Sequence, residues 1–203
     1  MLQGLTAHYL VRSTYALGPG HTCVVHAAAG GVGLLLTQMA KRCGARVIAT
    51  VSTEAKAALA RGAGADEVVI GYDGFVEATK RATGGRGAQV VYDGVGKTTF
   101  DASLTALAPR GLMVLYGGSS GPVPPFELQR LAAGGSLFIT RPTLGNYVAE
   151  RDELLGRCRD LFGWIESGAV TVRIGATYPL AEAADAQRAL AGRATTGKVL
   201  LLP

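Results

Sequence analysis

The sequence predicts an α/β fold, a doubly wound parallel sheet, on three observations. Apolar runs only five or six residues long recur along most of the chain, as in strands buried on both faces. Stretches of helical period separate them, so successive strands are joined by crossover helices. Glycine clusters follow several strands, on the rim where such sheets hold their ligands.

The elements follow in order. Leu2 to Tyr15 spaces Leu5, Tyr9 and Leu10 as a helix, stopped at Gly18-Pro19-Gly20. Cys23 to Ala28 reads as a buried strand, followed by a glycine turn and a helix from Val32 to Arg42. Gly44 stands where a left-handed helix-ending glycine belongs. Arg46–Val51 is the next strand, and Ser52 or Thr53 can cap a helix running to Ala60 or Arg61. Glu67–Ile70 (strand), Phe75–Thr83 (helix), Ala88–Tyr92 (strand), Thr98–Leu107 (helix), Leu112–Tyr116 and Ser136–Thr140 (strands) complete the alternation. Beyond it come a long helix, Val148–Ser167, an alternating strand, Val170–Ile174, an Ala-rich helix, Ala181–Leu190, and a last strand, Lys198–Leu202. The two final strands have no evident partner in the first sheet.

Composition excludes several classes. The chain has 203 residues, 48% hydrophobic and 17% charged, enough to bury a core and too apolar for disorder. Its 29 glycines are about twice the average share of roughly 7%, without a collagen period. Three dispersed cysteines, Cys23, Cys43 and Cys158, argue against a disulfide framework or a cysteine zinc site and for a reducing compartment. The N-terminus has no signal-peptide pattern. Thr22 to Ala40 is apolar for about the length of a membrane span, but its central glycines mark strand, turn and helix. A soluble, cytoplasmic protein without a membrane segment is expected. The net charge of +5 comes without a basic run or interleaved aromatics, which argues against nucleic acid as a partner.

The chemistry begins at Ala27-Ala28-Ala29-Gly30-Gly31-Val32-Gly33. A dinucleotide site needs a tight turn, a bare backbone where the pyrophosphate approaches, and a small residue where helix meets strand. Gly30 and Gly33 take the second and third glycine positions of G-x-G-x-x-G and Ala28 the first. The pyrophosphate would rest on N–H groups near Gly31 and Val32. An ordinary glycine-rich turn would read the same way. At the end of the second strand an NAD site calls for a carboxylate; here Ser52 can bond a 2′-phosphate and Lys56 can neutralise it, pointing to NADPH. Glu54 has the contrary sign but opens a helix and can turn outward. Tyr92-Asp93-Gly94-Val95-Gly96 and Tyr116-Gly117-Gly118-Ser119-Ser120-Gly121 put further glycines on the rim, either for cofactor approach or for turns alone. His26, in an apolar strand, reads as a core histidine. No G-x-S-x-G elbow exists, and Tyr147 lacks the lysine four residues on that short-chain dehydrogenases carry.

Gly4-Leu5-Thr6-Ala7-His8-Tyr9-Leu10, His26 to Gly33, Val91 to Gly96, Gly117 to Gly121 and Thr140-Arg141-Pro142-Thr143-Leu144 occur in order. The whole chain thereby resembles the bacterial NADPH:quinone oxidoreductases, the zeta-crystallin-like branch of the medium-chain dehydrogenase/reductase superfamily. The resemblance implies a Rossmann fold and a zinc-independent reductase passing hydride from NADPH to a quinone or enone. It places Ala29, Gly30, Gly31 and Val32 at the pyrophosphate and Ser52, Lys56 and Tyr72 around the 2′-phosphate. Val95 and Tyr116, Gly117, Gly118 and Ser119 would line the path to the nicotinamide. Ile139, Thr140 and Arg141 would border that ring, and Arg193 would close over the phosphate end. His8 stands where relatives often have tyrosine. No residue is assigned a catalytic acid role. The family opens with a GroES-like catalytic domain that has no counterpart in this sequence. Residues 1–168 are then the cofactor domain, and 169–203 a segment of the incomplete catalytic domain. Homodimerisation through edge strands, Ser136–Thr140 in particular, is implied too. The other readings are a truncated, non-catalytic NADPH-binding module and, with least support, a nucleic-acid binder.

Overall fold

The computed structural model describes residues 1–192 and 194–203; the expectation for Arg193 lies outside the described residues. Six parallel strands form one sheet: β1 Thr22–Val25, β2 Arg46–Val51, β3 Glu67–Ile70, β4 Ala88–Asp93, β5 Leu107–Leu115 and β6 Phe138–Thr140. Their order is β3-β2-β1-β4-β5-β6. The order reverses beside β1, the switch point of a doubly wound sheet. Alternate residues divide the strands between two cores. Cys23, Val25, Val47, Ala49, Val90 and Tyr92 pack on one face with α1 (Leu2–Tyr9), α2 (Gly31–Arg42), α3 (Glu54–Gly62) and α8 (Arg151–Glu166). Val24, Ile48, Val91 and Met113 pack on the other with Phe75 of α4 (Phe75–Ala82) and Phe100 of α5 (Phe100–Ala106).

Local signals act as expected at several ends. Gly44 takes φ +80° after α2, and Thr53 caps α3 by accepting the Lys56 N–H at 3.3 Å. The apolar run Thr22–Ala40 is a strand, a turn and a helix. Among the described residues no helix is long and apolar enough to cross a membrane.

Four expectations are corrected. The first helix is α-helical only to Tyr9 and continues as a π-turn over Leu10–Thr14, where the Tyr15 N–H reaches the Leu10 carbonyl. The first strand stops at Val25, with Ala27 left-handed two residues on, at φ +50°. The long helix starts at Arg151, after two short ones: α6, Gln129–Ala133, and α7, Leu144–Tyr147. Val170–Ile174 is not a strand. The Val170 N–H bonds the Trp164 carbonyl after α8, Thr171 bonds the Gln38 side chain, and the strand β7 runs Ile174–Pro179. Its partner is β8, Lys198–Leu202, parallel to it, with α9 (Ala183–Ala191) in the crossover. The final strands therefore pair with each other. Among the described residues one bridge, Gly30 to Gly197, ties this end of the chain to the glycine turn.

Candidate functional site

A cleft of about 280 Å³ opens beyond the carboxyl ends of β1 and β2. The turn after β1 forms its floor. The Gly30 N–H closes the turn on the Ala27 carbonyl at 2.9 Å. A Cβ at Gly33 would lie 2.4 Å from the Ala27 oxygen and 2.7 Å from Ala28 Cα, so the third glycine allows helix and strand to touch. At Gly30 a Cβ would meet, among the described residues, the Ala27 oxygen alone, at 3.2 Å, and at Gly31 the side-chain space is filled by Gln3, 2.1 Å from its Nε2. Gly30 caps α2 with no side-chain hydrogen bond among the described residues. The first-turn N–H groups and the positive end of the helix dipole can therefore receive an anion.

The opposite wall carries a cation and hydroxyls. Ser52 and Lys56 both line the cleft, and Lys56 Nζ donates to Ser52 Oγ at 3.1 Å. Glu54 turns along α3 to Arg61, 2.7 Å away. Among the described residues, those lining the cleft include no aspartate or glutamate. Tyr72 stands on the same wall with its ring edge-on to His26, centroids 5.8 Å apart. His26 is fully buried, and burial lowers its pKa to about 4, the Asp93 charge opposing the shift.

The sequence-predicted residues separate into groups. Ala29, Gly30, Gly31, Ser52, Lys56, Tyr72 and Ser119 meet at the cleft. Val32 packs its side chain against the core, while its backbone N–H, the group expected at the pyrophosphate, belongs to the first turn of α2. Val95 does not line an open path: it is buried, its N–H bonds Asp93 Oδ1 and its carbonyl accepts from Ser120. Gly117 serves the approach of two loops, since its Cβ would fall 2.5 Å from the Gly94 oxygen. The Tyr116 hydroxyl lies against Gly94, and burial raises its pKa. Tyr116, Gly117 and the exposed Gly118 are outside the cleft lining. So are Ile139 and Thr140 on β6, and Arg141, whose Nη1 bonds the Leu115 carbonyl at 2.8 Å. His8 is buried between α1 and α8, with Nε2 3.0 Å from Asp160 and Nδ1 3.1 Å from Arg157.

Gln3, Leu190, Thr195 and Gly197 line the cleft too, and sequence reasoning missed them. Gly197, at φ +61°, ends a Thr-Thr-Gly segment that gave a local signal. Leu190 gave none, because its helical spacing reads as core.

The family described as zinc-binding dehydrogenase matches residues 31–155. The quinone oxidoreductase of Pseudomonas aeruginosa is 47% identical over the whole chain, which covers 63% of that relative. A 2-haloacrylate reductase of Burkholderia is 42% identical, with the whole chain covering 62% of it. Among solved structures, Escherichia coli quinone oxidoreductase complexed with NADPH superposes with a TM-score of 0.95 at 46% identity, over all of this chain and 63% of that one. A mycobacterial homologue complexed with NADPH gives 0.96 at 51% identity, over all of this chain and 64% of that one. The chain thus spans a little under two-thirds of the length of these relatives.

Proposed function

The chain belongs to the zinc-binding dehydrogenase family, and from that premise we propose that it is the NADPH-binding part of a quinone or enone reductase. The observation that carries the reading is the Ser52–Lys56 pair facing the glycine turn in a cleft whose described lining bears no carboxylate. Lys56 and Ser52 would hold the 2′-phosphate and Tyr72 would flank the adenosine. The N-terminus of α2 would take the pyrophosphate. Bound NADPH supplies the hydride; the chain contributes orientation and electrostatics. In this reading the step uses no zinc. Cys23 is buried in the core with its thiol pushed up to about 12 by burial, the opposite of the thiolate a metal needs.

Residues 1–168 act as the cofactor domain and 169–203 as a segment of a GroES-like catalytic domain. Supporting this division, β7 and β8 form a two-stranded sheet of their own, apart from the six-stranded one, and leave Ile174, Leu201 and Leu202 exposed. The free edge of β6, with Phe138 exposed, is assigned to homodimerisation. A non-catalytic NADPH-binding module is the second reading.

Calorimetric titration with NADPH and NADH tests the cofactor assignment. Lys56→Glu should weaken NADPH by at least about tenfold, from the loss of a charge-assisted contact, and leave NADH nearly unchanged. Equal losses would remove the 2′-phosphate assignment. Turnover of a simple quinone with NADPH separates the reductase from the binding module.

A further inference from the structure

Beneath the cleft runs a chain of buried polar side chains for which the proposed function has no use. Asp93, at the end of β4, is fully buried. Its Oδ1 accepts the N–H groups of Val95 at 2.7 Å and Gly96 at 2.9 Å. Its Oδ2 accepts the hydroxyls of Thr99 at 2.6 Å and Ser103 at 3.2 Å. Ser103, on α5, has given its one proton to Asp93, so it must accept from His26 Nε2, 2.9 Å away. His26 then carries its proton on Nε2, and Nδ1 accepts the Thr50 hydroxyl at 2.8 Å. The carboxylate at one end sets the direction of every bond to the other.

These four side chains are all fully buried and none lines the cleft. Two of them, His26 and Thr50, are nonetheless next to cleft-lining residues in the chain. His26 immediately precedes the glycine turn, Thr50 stands two residues before Ser52, and Asp93 holds the loop after β4. The Tyr72 ring meets His26 edge-on at 5.8 Å. Apolar side chains would fill the same space without fixing distances or angles. A satisfied buried relay does fix them, and a broken one is costly because no water replaces the lost partner.

We propose that Asp93, Ser103, His26 and Thr50 form a positioning relay. It sets the distance between the glycine turn and the Ser52–Lys56 wall, and with it the discrimination of NADPH from NADH. The proposal rests on the nucleotide reading above. The four are positioning residues, acting through the backbone they hold.

Ser103→Ala removes one oxygen and cuts the relay with the smallest change of volume. Asp93→Asn reverses its polarity. The amide donates to Ser103 and releases the Ser103 proton for His26 Nε2, and the imidazole proton then moves to Nδ1; Thr99 keeps the Gly96 carbonyl as acceptor at 3.2 Å. The experiment titrates wild type and both variants with NADPH and NADH well below their unfolding temperatures. Alongside it, ¹⁵N spectroscopy reads the His26 tautomer. The expected result is an NADPH Kd raised about tenfold in Ser103→Ala, a much smaller change for NADH, and a tautomer that flips in Asp93→Asn. A Ser103→Ala chain that is less heat-stable but keeps the wild-type NADPH-to-NADH ratio would overturn the proposal and leave the nucleotide reading standing. A wild-type chain that binds neither nucleotide would overturn both.

Discussion

His26→Gln removes an imidazole whose pKa burial lowers from 6.5 to about 4. Between those values the unfolded chain binds a proton that the folded chain refuses, so acid favours unfolding across that window. The contribution of this group is full above about pH 6.5 and is lost as the pH falls toward 4. From pH 7 to pH 5 the loss amounts to about 2 kcal/mol. For a domain of this length, that corresponds to roughly 4–8 °C in Tm. His8, lowered chiefly by burial as well, shifts wild type and variant alike, so the difference between them isolates His26. Glutamine keeps an amide to face Ser103 but takes no proton. The variant should be less stable than wild type at pH 7, yet its Tm should fall several degrees less between pH 7 and pH 5. Thermal unfolding followed by circular dichroism in one buffer series measures both. A variant whose Tm falls as far as the wild type's over that range would refute the reasoning.

The glycine turn and the sheet edge give two further tests. Gly33→Ala would press a Cβ to 2.4 Å from a backbone oxygen. It should lose about 1–3 kcal/mol in urea unfolding, the usual cost of overpacking. Gly30→Ala, at φ −75° and ψ 173° with its nearest contact at 3.2 Å, should stay close to wild type. Equal losses would show that the turn relaxes freely. If β6 pairs with a second copy, Phe138→Lys should shift the chain toward monomer in sedimentation velocity. An unchanged sedimentation coefficient would remove that edge as the interface.

The six-stranded sheet was legible because double-sided burial leaves strands as short apolar runs, and Val47–Val51 or Ala88–Tyr92 can hardly be read otherwise. The glycine turn was legible for the same local reason, and with it Ser52 and Lys56 opposite. What escaped depends on partners remote in sequence. Val170, Val172 and Ile174 alternate as a strand does, but Thr171 is bonded by Gln38, 133 residues away. Val95 looks like a rim residue until the loop ending at Gly121 folds over it and Ser120 takes its carbonyl. Gln3 reaches the cleft only because α1 packs on α2 and brings its amide to Gly31. His26 was readable as a core residue from its apolar neighbours. The direction of its proton depends on Asp93 and Ser103, which only the folded chain brings to it.

The π-turn over Leu10–Thr14 bears on how this chain tolerates insertion and deletion. Its wider winding lets the Leu10 carbonyl accept both the Tyr15 N–H and the Tyr92 hydroxyl. Three consecutive side chains meanwhile stay turned toward α7 and α8. Arg12 lies over the Trp164 ring at 5.5 Å, Ser13 accepts from Arg157 at 2.7 Å, and Thr14 donates to the Tyr147 hydroxyl at 3.3 Å. Deleting a single residue here would restore regular winding and swing everything beyond it by about 100° around the axis. All three partnerships would be lost at once, even though composition and hydrophobicity would barely change. Segment length at this point is thus a constraint in its own right, one that no substitution scan would reveal.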